Sequence, residues 1–111
     1  MARLLANEGF LLRLTPADDR IHSVEAIVGI DGVDAEDGNI DVAITLANGV
    51  VHQRVFMTPK NAATLLERWR MTGEAHSGAY LAGADLVFIP YLSADHIQSA
   101  VLALLDEGKL I

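Results

Sequence analysis

The chain has 111 residues, a formal charge of −7 from 15 Asp/Glu against 8 Lys/Arg, and no cysteine. That length is one domain, 1–111, which buries roughly 65% of its unfolded surface around a single core without covalent staples. The missing cysteines exclude a disulfide scaffold, thiol catalysis and thiolate metal sites, while the negative charge disfavours nucleic-acid backbones and anionic membranes.

Strands are expected first. Arg3–Ala6 and Phe10–Thr15 flank Asn7-Glu8-Gly9, a hairpin loop with glycine where a positive φ is wanted; a helix over Arg3–Asn7 stopped by Gly9 is the alternative. Thr15-Pro16-Ala17-Asp18-Asp19 is turn chemistry. Along Ile21–Ile30, Val24, Ala26, Val28 and Ile30 alternate with Ser23, Glu25, Ile27 and Gly29, the period of a half-buried strand. An acidic loop from Asp31 leads to Ile40–Ala47, Asn48-Gly49 and Val50–Met57. Asn-Gly suggests a two-residue type I′ turn. That register opposes Leu46/Val51, Ile44/Gln53, Val42/Val55 and Ile40/Met57 on an apolar face. Thr45/His52, Ala43/Arg54 and Asp41/Phe56 then share the polar face.

Thr58-Pro59 opens a helix with a capping hydroxyl and a proline at its first position. Its apolar stripe is Ala62, Leu65, Leu66 and Trp69, and Gly73 ends it. Ala79–Ala82 is a further short strand. Leu86-Val87-Phe88-Ile89 is apolar at every position, which suits a central strand covered on both sides. Ser93 caps a last helix, Ala94–Glu107, with the stripe Ala94, Ile97, Ala100, Val101, Leu104 and Leu105; Leu102 falls beside the polar side, as a dimer contact would. The fold class is therefore α+β: a mostly antiparallel sheet of about five to seven strands with two amphipathic helices packed on one face. A homodimer is expected, because Leu86–Ile89 and an open sheet edge both need cover.

Chemistry is sparse. Asp37-Gly38-Asn39-Ile40-Asp41 looks like the centre of a calcium loop, but with Gly38 at the invariant glycine, loop positions that must supply oxygen ligands fall on Val33, Ala35 and Ile44. His22, His52, His76 and His96 never recur at the spacing that puts two imidazoles on one helical face. His76-Ser77-Gly78 lacks the surrounding elbow of a serine nucleophile. The aromatics, Phe10, Phe56, Phe88, Trp69, Tyr80 and Tyr91, give little stacking surface for single strands. The best acid/base grouping is His52, Arg54 and Asp41 on the polar hairpin face. No metal or cofactor is expected.

Between Asp18 and Asp41 lie eight acids (Asp18, Asp19, Glu25, Asp31, Asp34, Glu36, Asp37, Asp41) and one base, Arg20. A small acidic domain of this kind, without a catalytic set, is similar in size and charge to the immunity proteins that neutralise basic nuclease toxins. The expected function is a non-catalytic protein-binding module, an inhibitor or adaptor for a basic partner, or a homo-oligomer subunit. Asp31, Asp34, Glu36, Asp37 and Leu102 are the candidate contacts. The alternative is a small ligand-binding domain or enzyme built on His52, Arg54 and Asp41. With neither a signal-peptide order nor a membrane-length apolar run, the expected setting is the cytoplasm.

Overall fold

The computed structural model describes residues 11–14, 18–27 and 34–110. Along the chain come β1 (Leu11–Leu14), β2 (Ile21–Ile27), β3 (Asn39–Leu46), β4 (Val51–Met57), α1 (Pro59–Thr72), the short α2 (Glu74–Gly78), β5 (Leu86–Phe88) and α3 (Ala94–Asp106). The class is α+β, as expected. One five-stranded sheet has the order β1-β2-β3-β4-β5, antiparallel throughout except for the parallel pair β4–β5. The expected segment Arg3–Ala6 and its hairpin loop lie outside the described residues, as do Val28 and Ile30. Residues 79–82 form no strand.

The β3–β4 hairpin is where structure and expectation part. Its strands pair as Ile40 with Phe56, Val42 with Arg54 and Ile44 with His52, one residue out of the register a type I′ turn gives. The loop is Ala47-Asn48-Gly49: Leu46 N–H donates to Val50 O at 2.8 Å, and Gly49 N–H donates to Leu46 O at 2.9 Å. Only Gly49 has a positive φ, +90°, whereas a type I′ turn needs one at Asn48 as well. This is a type I turn closed by a left-handed glycine bulge. Asn48 contributes through its side chain, whose Oδ1 accepts the Val50 N–H at 3.0 Å.

Period-two alternation then assigns the faces. Leu14, Ile21, Val24, Ala26, Ile40, Val42, Ile44, Leu46 and Phe56 point to one side and form a continuous core with Ile97 and Val101 of α3, Leu92, Ile89 and Leu110. A register shift between Ile21 and Ser23 keeps Ile21 on the same side as Val24. Ser93 caps α3, its Oγ accepting the His96 N–H. The opposite face carries Glu25, Ile27, Asn39, Asp41, Ala43, Thr45, Val51, Gln53, Val55 and Met57. α1 lies on this second side, at its β4–β5 margin, where Leu65 and Trp69 face Val55, Met57 and Leu86. The two long helices therefore divide between the faces instead of sharing one. The reason is connectivity: a parallel β5 needs a crossover from β4, and α1 is that crossover.

β5 is an edge strand, not the central one its apolar run suggests. It is apolar on both sides because Val87 packs toward the α3 core while Leu86 packs toward α1. Phe88 is left 51% exposed. Three residues followed by Pro90 make a short, blunted edge. After α1, Gly73 turns left-handed and Ala75, His76 and Ser77 follow at φ of 48°, 52° and 61°, so α2 is a left-handed turn. It ends on Gly78, also at positive φ, where the backbone runs against α1.

Gly49→Ala places a β-carbon in open space, so its cost is that of the left-handed backbone alone, about 1–2 kcal/mol. Gly78→Ala should cost clearly more, because its β-carbon would also clash with the Leu66 carbonyl oxygen. Urea unfolding of the two variants against wild type measures this order.

Candidate functional site

The observed register dissolves the expected His52–Arg54–Asp41 group. His52 and Arg54 lie on the side of Ile44 and Val42, toward α3, and Asp41 on the other. His52 is half-buried, with Nε2 enclosed and no hydrogen-bond partner. Arg54 donates to the backbone oxygens of Gln53 (2.8 Å) and Lys109 (3.2 Å), so it ties β4 to the segment after α3. Asp41 is exposed and forms no ion pair among the described residues.

The acidic segment is built into the fold. Asp31 lies outside the described residues. Asp34 Oδ1 accepts the N–H groups of Glu36 (2.9 Å) and Asp37 (3.2 Å), closing its own turn. Asp37 reaches α1: its carboxylate accepts from Asn61 Nδ2 and Thr64 Oγ1, both at 2.9 Å. These two bonds hold its pKa below the ordinary Asp value, against some desolvation. Only Glu36 stands fully exposed. Leu102 is also not a free contact; it is half-buried against the core, near Ile21 and Val24. Among the described residues no three Asp, Glu or His side chains gather as a metal site would require.

The Asp37 interaction continues. A carboxylate only accepts, so Asn61 must turn its Nδ2 toward Asp37 and its Oδ1 away. Asn61 Oδ1 then accepts Asn39 Nδ2 at 2.7 Å. Thr58, the N-cap of α1, accepts the Asn61 N–H (3.2 Å) and the Gly38 N–H (3.3 Å). The polar relay Asp37–Asn61–Asn39 thus fixes the start of α1 over the end of the sheet. Asn61 is the one fully buried residue of the helix, while Leu65, Leu66 and Trp69 of the expected stripe are only half-buried.

That shallow seating leaves a cleft of about 310 Å³ between α1 and the β4–β5 margin. Val55, Met57 and Leu86 line it from the sheet, Leu65 and Trp69 from α1, and Leu81–Asp85 from the connecting segment. Asn39 and Asp85 are its polar side chains. The sequence hid this site, because Trp69 sits on an apolar helical stripe and reads as core. The crossover that makes the stripe a cleft wall leaves no local pattern.

Two further groups need a chemical reading. Ser93 Oγ lies 2.7 Å from His96 Nδ1. The hydroxyl also accepts the His96 backbone N–H (3.1 Å), and the imidazole tautomer decides which group donates in the ring contact. Among the described residues nothing hydrogen-bonds His96 Nε2, so the pair lacks the third member of a nucleophilic triad and acts as a helix cap. His76 stacks obliquely on Tyr80, ring centroids 5.9 Å apart, in the left-handed turn. Strained backbone of this kind persists only where its surroundings hold it, here the contact of Gly78 with α1.

Ala75→Gly and Ser77→Gly should each stabilise the protein by about 0.5–1 kcal/mol in urea unfolding, since glycine removes a left-handed penalty that exceeds its entropic cost. Asp37→Asn should destabilise by about 1 kcal/mol through the lost charge-assisted bonds. Because the native pKa of Asp37 is lowered, its contribution is complete above the ordinary Asp range near 4 and is lost as pH falls through the native value. The stability difference between wild type and Asp37→Asn should therefore shrink on acidification below about pH 4.

No protein-family model, curated protein or solved structure matches the chain.

Proposed function

We propose that the chain is a non-catalytic protein-binding module that engages a basic partner through the uncovered face of its sheet. The observation that supports this is an exposed carboxylate, without an ion pair among the described residues, beside an exposed apolar side chain. Asp41, on the middle strand, is paired across the sheet with Ile27 on one side and Val55 on the other. Ile27 is 54% exposed, as is Val51 further along β4. An exposed aliphatic group beside a carboxylate is what a partner's arginine or lysine would use, its stem on Ile27 and its head on Asp41.

Charge favours a basic protein over a second copy of this chain. Two chains of −7 repel, and a two-fold contact across this face would bring Asp41 carboxylates together. An inhibitor or adaptor role of the immunity-protein kind agrees with this surface and with the lack of a catalytic set among the described residues. Among those residues no helix is long and apolar enough to cross a membrane. The partner is sought in the cytoplasm, the setting that the sequence suggests.

The test is capture from native lysate at low salt by immobilised wild type, by an Ile27→Lys/Asp41→Lys/Val51→Lys variant and by an Asp34→Lys/Glu36→Lys variant. Wild type and the loop variant should retain the same basic protein, released by salt. The face variant should lose it, by at least about tenfold in affinity, with its melting temperature little changed. Equal retention by the face variant, or loss confined to the loop variant, would overturn the assignment.

A further inference from the structure

We propose that the cleft between α1 and the β4–β5 margin binds a small organic cation with an apolar body, of the arylalkyl-ammonium class. Its volume, about 310 Å³, is at the lower end of the range for small-molecule sites. Its walls are mostly aliphatic, with one indole, Trp69. No Lys, Arg or His lines it, so nothing in it favours an anion.

The one charged side chain in the lining is a carboxylate. Asp85 is exposed at the rim and makes no ion pair among the described residues. Its backbone oxygen is already used by the Val55 N–H at 2.9 Å, which leaves its carboxylate for a ligand. The relay from Asp37 engages one N–H of the Asn39 amide. Asp37 orients Asn61, Asn61 Oδ1 accepts one Asn39 Nδ2 proton, and Asn39 keeps its Oδ1 and a second N–H. An apolar site whose one charged group is a carboxylate, with an indole in its wall and no basic residue, selects a ligand carrying positive charge. A neutral ligand of the same shape gains the apolar contact alone, and a carboxylate ligand meets Asp85.

Trp69 is the chain's single tryptophan, so its fluorescence reports the cleft directly. The probes are 3-phenylpropylamine, 3-phenylpropanol and 3-phenylpropanoate, titrated at neutral pH and low salt. A second readout is the NMR signals of the Trp69 indole and the Asn39 side-chain amide. The amine should give a saturable change and bind at least about fivefold more tightly than the alcohol, with the carboxylate weakest. Asp85→Asn should reduce amine binding to the level of the alcohol and leave the alcohol unchanged. Absence of saturation, equal affinity for amine and alcohol, or an unaltered Asp85→Asn variant would each overturn the proposal. So would tighter binding of N-acetyl-arginine amide, which would reassign the cleft to a basic side chain of a protein. An Ile27→Ser/Val51→Ser chain should bind the amine as wild type does. The cleft and the protein-binding face can therefore fail separately.

Discussion

One left-handed residue, Gly49, decides which side of β4 faces the core. The bulge it makes shifts the β3–β4 pairing by one position, and with a two-residue side-chain period that single step exchanges the two faces of β4. Phe56 is thereby fully buried beneath α3, and His52 and Arg54 turn toward the same side. Asp41 is left opposite them, on a face that no helix of the described residues covers at that point. The separation of a dry face from an open one, the absence of an acid/base group on the hairpin, and the availability of Asp41 for a partner all follow from that turn.

Acidic residues in such a chain invite a purely electrostatic interpretation, and Asp37 shows its limits. Its carboxylate is held by Asn61 and Thr64, and its depressed pKa reflects those bonds. α1 seats only shallowly on the sheet by its apolar stripe, so polar anchoring at Thr58 and Asn61 carries much of its placement. The same anchoring reaches a cleft whose floor lies on different strands, through the Asn39 amide. Charge in the loop thus acts within the fold, by fixing the direction of the Asn61 amide.

Much of the fold was legible. The alternation over Ile21–Ile27, the Thr58-Pro59 helix start, the Ser93 cap and the α3 stripe rest on local spacing, and local spacing survived. The turn was not legible, because Asn-Gly suits both a type I′ turn and a type I turn with a glycine bulge. The apolar pairing that favoured the former ignored how α3 and the segment after it accommodate His52 and Arg54. The edge position of β5 and the side taken by α1 depend on a crossover, which is a global property of the chain. The site followed the same division. Asp41 stood out in the sequence but for the wrong neighbours, and Trp69, Asn39 and Asp85 come together only when α1 is folded back over β4.

The parallel pairing of β4 with β5 also orders assembly. The β2–β3–β4 meander closes through short connections, but Val55 meets Leu86 only after some thirty intervening residues, α1 and the strained α2 among them, have been arranged. The chain entropy of that closure falls on the β5 margin. This margin is therefore the part of the sheet expected to form last and to open first in sub-global fluctuations. A ligand in the cleft would act as a clasp on the weakest seam, and amide exchange along β5 would slow before the core strands registered its presence.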